Sequence, residues 1–384
     1  MASYTELGKN KYKIYVELGY NERGKRLRKT KTITAKSERA LKKAMIDFEL
    51  EVRKNQAELD IENITFRRFV DRFMEMYVIP DLSINTRDTY NGYLDNGLLE
   101  HFGEIKLKNI KPFHIVEFFK KEKAAGRKSL TGKFLLLKSI FSKANKWEVL
   151  NHNPTVNVDP PETSKRYKDI EFYTTDQLKL LLYVLDNENV YPKHKMQIKM
   201  AVFGGLRKSE IAGLRVESID FNQGGVFVDK QLNYDKETKR FLLGDTKTKL
   251  PRFVHLPEKF MKELKQYIHE QKKLKIKMGE LWQPIKDSKG NDINLLFVKD
   301  NGKPTHINTI SNEWVKIIRR YNLPHLNFHG LRHTHASYLL SNGANYKTIQ
   351  EQLGHTDIRE TINTYSHITE DFKRQEIKVF DNLL

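Results

Sequence analysis

Apolar and polar positions alternate with period two from Lys11 to Leu18. Tyr12, Ile14, Val16 and Leu18 face one way and Lys11, Lys13, Tyr15 and Glu17 the other, which predicts a strand with one buried face. The NERG stretch at 21–24 predicts a turn, and a second strand follows from Arg26 to Thr34. Ser37 then opens a helix of about 17 residues, with Ala40, Leu41, Ala44, Phe48 and Leu50 apolar, as expected of a helix lying on a sheet. The polar run KNQAELDIEN, 54–63, reads as a linker.

From Ile64 to about Val158 the period becomes helical throughout. Phe66, Phe69, Val70, Phe73 and Met76 form one apolar face ended by Pro80. A second helix is predicted over Thr86–Leu99, a third from Pro112 in its first turn through Phe119, and a fourth over Leu130–Trp147. Four such helices make a compact bundle. The proline-rich, then charged, segment NPTVNVDPPETSKRYKD reads as an interdomain linker. Beyond it, Thr175 is a candidate N-cap for helices that run to GGLRKSEIAGLR. β patterning follows in GGVFVDKQLNY and KRFLLGDTKTKLPRFVHLP, where period two sets Lys247 and Lys249 on one face. The last part is helical again, with Ala336, Leu339, Leu340, Ile349 and Leu353 at helical spacing and Gly354 as a helix C-terminal residue.

Composition narrows the class of partner. The chain has 384 residues, enough for two or three domains with cores of their own. A net charge of +19 implies a polyanion as partner, without separating DNA from RNA or a membrane surface. Between Lys9 and Lys31 there are nine Lys or Arg residues, on a small sheet whose face suits a DNA major groove. Eleven more lie between Lys106 and Lys143 and suit a phosphate-facing side of the bundle. Zero cysteines leave no disulfide and no thiolate metal site. With no apolar signal core in MASYTELGKN and no run of membrane-spanning length, a cytoplasmic protein without membrane contact is expected.

The candidate chemistry is concentrated between His329 and Tyr365: two imidazoles, a guanidinium and a phenol on helical segments. A guanidinium grips two phosphate oxygens in a planar fork, an imidazole donates to a third or moves a proton, and a phenol can attack phosphorus. His329, His333 and His335 invite a metal reading. It lacks a further ligand and would set Arg332 beside the ion, so neither metal nor cofactor is expected. Arg207 admits a plainer role as a surface ion pair with Glu210, although Gly204 and Gly205 before it permit close backbone approach.

His329-x-x-Arg332, then Leu353-Gly354-His355, then Tyr365 ten positions on, resemble the active-site box of the tyrosine recombinases, the integrases of phages and mobile elements. Arg207 in GGLRKSEIAGLR matches the first arginine of that family. The resemblance implies an α+β multidomain fold. It comprises a small N-terminal β-sheet plus helix that binds arm sites (1–55), an all-helical core-binding domain (64–160), and a mainly α catalytic domain with a small β-sheet (170–384). It further implies that Arg207, Arg332 and His355 hold the scissile phosphate, that His329 moves the proton of Tyr365, and that Tyr365 forms a 3′-phosphotyrosine. A β-hairpin lysine, Lys247 in preference to Lys249, protonates the leaving 5′-oxygen. The implied partners are double-stranded DNA at core and arm attachment sites and three further copies of the chain in a homotetramer on DNA. A host DNA-bending protein and an excisionase are admitted as accessories. A type IB topoisomerase-like relaxing enzyme and a catalytically silent DNA-binding regulator are the alternatives. One departure is Gly330, where many relatives carry an acidic residue.

Overall fold

The computed structural model describes residues 2–20, 26–161, 171–248, 250–287 and 289–365, in two compact units, 1–164 and 165–384. Three antiparallel strands open the first unit, β1 (Ser3–Gly8), β2 (Lys11–Tyr20) and β3 (Arg26–Thr34), in the order β1-β2-β3. The sequence reading finds β2 and β3 but misses β1, whose residues are all exposed and therefore carry no apolar alternation. The turn at 21–24 lies outside the described residues.

Ser37 accepts from the backbone N–H of Ala40 and starts α1 (Glu38–Glu62), which packs Phe48 and Val52 against Ile14 and Val16 of the sheet. This helix is 25 residues long and absorbs most of the expected linker, because KNQAELDIE contains no Gly or Pro and includes good helix formers. The strand register also divides the basic residues. Lys29 and Lys31 pair with Val16 and Ile14 and so lie on the helix side, whereas Lys13 and Arg28 share the opposite face with Tyr15, at 5.9 and 5.4 Å from its ring.

The helical bundle follows. Thr65 caps α2 (Phe66–Phe73), which continues through a wide π-type turn at Met74–Val78 and ends just past Pro80, at Asp81. The Ile79 N–H reaches back to the Met74 carbonyl, which inserts one residue into the helical repeat. Val78 is therefore buried and Met76, expected on the apolar face, is 63% exposed. The second helix starts at α3 (Ile84–Tyr93), capped by Ser83, and reaches Phe102 only after a break where Gly97 has φ 110°. Lys133 fills that break: it is buried, donates to the Asn96 carbonyl and pairs with Glu122, so it cannot face a phosphate. Pro112 opens α4 (Pro112–Ala124), and α5 (Leu130–Lys146) completes the bundle. The core is rich in phenylalanine (Phe66, Phe69, Phe73, Phe102, Phe134, Phe141), each worth about 1.5–3 kcal/mol in transfer terms. The expected linker starts late, since Thr155 and Val158 are buried on the bundle.

In the second unit, Thr174 rather than Thr175 caps α6 (Thr175–Asn187), exchanging hydrogen bonds with Gln177 in a capping box. Next, α7 (Pro192–Gly204) is buried almost all round, including Lys199, which donates to Asp186 and Glu263 at 2.5 and 2.7 Å. The short α8 (Lys208–Gly213) follows at once. Strands β4 (Ile219–Asp220) and β5 (Gly225–Val228) belong to a three-stranded sheet, while β6 (Lys230–Asp235) and β7 (Arg240–Asp245) form a separate hairpin. The strand β8 (Arg252–His255) returns to pair with β5. Helices α9 (Glu258–Met278) and α10 (Ile307–Arg320) cover the core, and α11 (Gly330–Ser341), α12 (Tyr346–Leu353) and α13 (Ile358–Tyr365) end the described chain. Ala336, Leu340, Ile349 and Leu353 form a small core of their own between α11 and α12, as their spacing predicts. Among the described residues no helix is long and apolar enough to cross a membrane.

Candidate active site

The site is built where α7 ends. Gly205 takes φ 62°, and a Cβ there would lie 2.7 Å from the His335 ring, so the chain can turn against α11 only without a side chain. Arg207 sits in extended backbone just before α8, and its side chain is about one-fifth exposed. Its backbone N–H and Nη1 both donate to Glu210, each at 2.9 Å. The plain ion pair is thus real. It is not a surface pair, because Glu210 is fully buried.

A second guanidinium meets the same carboxylate. Arg252, the first residue of β8, donates through Nη2 and Nη1 to the two Glu210 oxygens at 2.7 and 3.2 Å. Burial pushes the Glu210 carboxyl up, but Arg252, Arg207 and Arg332 outweigh it and hold the group down at about 2. Neither Glu210 nor Arg252 was assigned a site role by sequence reasoning. A carboxylate three residues after Arg207 was in plain view there, whereas Arg252 lies in a strand with no motif around it.

Arg332 is 2% exposed and donates to two backbone carbonyls, Gly205 at 2.7 Å and Leu353 at 2.6 Å. It therefore ties the α7 turn to the C-terminus of α12, whose last carbonyls lack helical partners. Gly354 ends α12 with φ 65° and ψ 48°, as expected, and lets His355 leave the helix line. His355 places Nδ1 2.8 Å from the buried hydroxyl of Thr361. Burial first, then Arg332, Arg207 and Arg252, push this imidazole down to about 3, so it is neutral at physiological pH. His329, just before α11, is likewise lowered by burial and by Arg332, Arg207 and Lys208. Its ring meets His333 edge-on at 4.8 Å, and burial pushes His333 down to about 4. His335 faces away, with Nδ1 on the Val202 carbonyl at 2.9 Å.

Arg207, Arg332, His329 and His355 thus come together, beside a cleft of about 480 Å³ lined by Arg207, Lys208, Ser209, Asn327 and His329 among others. Lys247 is exposed in the turn between β7 and β8, not on a strand of the hairpin. Lys249 and the tail 366–384 lie outside the described residues, as does the side chain of Tyr365, whose backbone closes α13. A side chain at Gly330 would meet Leu326 Cδ1 at 2.3 Å, so the acidic residue common at this place does not fit this packing.

Thr361→Val keeps shape but removes the hydroxyl beside His355. We expect strand cleavage to fall about tenfold, with DNA affinity unchanged, read by gel shift and cleavage rate on one substrate. An unchanged rate would show that His355 needs no such partner.

Fold and cluster together describe a mainly helical domain with a small sheet, in which buried arginines and neutral imidazoles gather beside a cleft. The phage integrase family matches residues 171–371, more than half of the chain, and the phage integrase N-terminal SAM-like domain matches residues 65–122. A XerC-like tyrosine recombinase of Caldanaerobacter subterraneus is 25% identical, with 99% of this chain and 98% of that protein covered. The ICEBs1 integrase of Bacillus subtilis is 24% identical over the whole of both chains. Among solved structures, the Tn1549 transposon integrase in complex with transposon right end DNA shares the fold at a TM-score of 0.68. It is 22% identical, with 82% of this chain and 99% of that one covered. The chain belongs to the phage integrase family, the tyrosine recombinases, and is a site-specific DNA recombinase that works through a phosphotyrosine intermediate.

Proposed function

We propose that Arg207, Arg332 and His355 hold the non-bridging oxygens of the scissile phosphate and stabilise its pentacoordinate transition state. The observation that carries this reading is the convergence of both arginines on the buried Glu210, with a neutral His355 within reach of their charge. In the tautomer in which the Thr361 hydroxyl donates to Nδ1, the His355 ring carries its proton on Nε2 and can donate it to a phosphate oxygen. His329, also neutral, accepts the phenol proton as the Tyr365 oxygen forms its bond to phosphorus. The bond from phosphorus to the 5′-oxygen breaks, and Lys247 supplies the proton that makes this leaving group a hydroxyl. The resulting 3′-phosphotyrosine retains the energy of the broken linkage, so a 5′-hydroxyl from another strand reverses the step without ATP.

Two rounds of such exchange in a homotetramer, through a four-way junction, integrate or excise a mobile element in the bacterial cytoplasm. A host bending protein and an excisionase can assist. Residues 64–160 grip the core site, and residues 170–384 carry the chemistry. The N-terminal sheet offers Lys13, Tyr15 and Arg28 on its uncovered face to arm-type duplex. Both whole-chain relatives extend over this module, which supports a recombinase with a second DNA contact.

The test starts from footprinting on DNA flanking the chain's own gene, which locates the site. On a nicked duplex of that site the protein should become covalently attached through a 3′-phosphate. Lys247→Ala should lose about 10²- to 10⁴-fold in cleavage of ordinary DNA, yet cut a substrate with sulfur at the 5′-bridging position, because a thiolate leaves unprotonated. Rescue confined to Lys249→Ala would transfer the acid role to that residue.

A further inference from the structure

We infer that Arg252 is a positioning residue for strand cleavage, the strut that keeps Arg207 and His355 in register across the phosphate cradle. This rests on the cradle reading above. All three guanidinium nitrogens of Arg252 are engaged: Nη2 and Nη1 on Glu210, and Nε on the Gln352 carbonyl at 2.9 Å. Glu210 in turn holds both the backbone and the side chain of Arg207, and Gln352 lies just ahead of the Gly354-His355 turn. Gly354 permits the approach, since a Cβ there would lie 2.9 Å from both Cδ and Nη1 of Arg252. One planar side chain therefore joins the segment of the first arginine to the segment of the histidine. Only a rigid fork reaches both at once, and a lysine ammonium does not reproduce that geometry.

Charge leads to the same role. If Glu210 faced Arg207 without Arg252, it would draw that guanidinium toward itself and reduce the field available to a phosphate. Arg252 takes a share of each carboxylate oxygen, so Arg207 is oriented by Glu210 without being neutralised by it. Arg252 also starts β8, five residues after Lys247.

The experiment uses the full chain and the footprinted site in two forms. One has an ordinary scissile phosphodiester. The other has a methylphosphonate there, where a methyl group replaces one non-bridging oxygen and removes the negative charge that the arginines meet. Arg252→Lys, which keeps the buried charge, should slow cleavage of the phosphodiester about 10²-fold while site affinity stays within about threefold. On the methylphosphonate its loss should shrink below about tenfold, because less charge has to be met by a correctly placed Arg207. Arg252→Met should lose more on the phosphodiester and show the same contraction; if it does not fold, the lysine variant decides alone. Equal losses on both substrates would make Arg252 a scaffold residue with no bearing on the cradle, and no loss on either would remove it from the mechanism. Wild-type protein that cuts neither substrate would overturn the cradle reading itself.

Discussion

Tyr365→Phe should bind its attachment site as the natural chain does and form no covalent complex, a loss of about 10⁴-fold or more in strand cleavage. Only a hydroxyl is removed, so the arginine cradle and the DNA-contacting surfaces are untouched. A nicked duplex that traps the cleaved state, resolved on a denaturing gel, measures the result. The chain holds 17 tyrosines, which makes the control important. An adduct that survives the change would identify one of the others as nucleophile and detach the chemistry from α13. Retained cleavage with altered affinity would argue equally against the assignment, because it would make Tyr365 a binding residue.

Glu210→Gln should be the most destabilising single change among the site residues. It leaves Arg207, Arg252 and Arg332 without their shared anion, and breaking a buried ion pair from one side costs about 3–5 kcal/mol. For a domain of this size that corresponds to a melting temperature lower by about 10 °C. The pH dependence provides a second check. Glu210 has a folded value of about 2 against an ordinary 4.5, so its contribution is complete above pH 4.5 and is lost as pH falls toward 2. The glutamine variant should lack that acid limb. Natural and variant chains should both lose stability from pH 6.5 down toward 3, because the fold keeps His333, His335 and His355 neutral while the unfolded chain takes up their protons. A melting curve unchanged by the substitution would show that the arginines are neutralised in some other way.

The parts legible from sequence were those governed by local repetition or by a fixed motif. Period two found β2, the turn after it placed β3, helical spacing found the bundle and the Ala336–Leu353 core, and the structure brings His329, Arg332, His355 and Arg207 together. What stayed hidden depends on partners remote in the chain. Lys133 looked like one more basic residue of a DNA-facing helix, and only the break at Gly97 shows why it is buried. The inserted residue at Met74–Val78 leaves no sequence signal, because the apolar pattern tolerates either register. Arg252 stands in a short strand where any residue could have faced solvent. Its role exists only because Glu210 and Gln352 arrive from segments about 40 and 100 residues away.

The two carbonyls at the end of α12 are taken by arginines from different parts of the chain, Gln352 by Arg252 and Leu353 by Arg332. The arginine cluster is therefore completed only when α12, near the end of the described chain, is in place. A nascent chain that has emerged through α11 already carries Arg207, Glu210, Arg252 and Arg332, but the carbonyls that clamp two of those arginines have yet to leave the ribosome, as has the tyrosine. Fragments that lack α12 would leave Arg252 and Arg332 without those two carbonyl partners. Completion of the cluster thus depends on contacts between segments 100 and 21 residues apart in the chain.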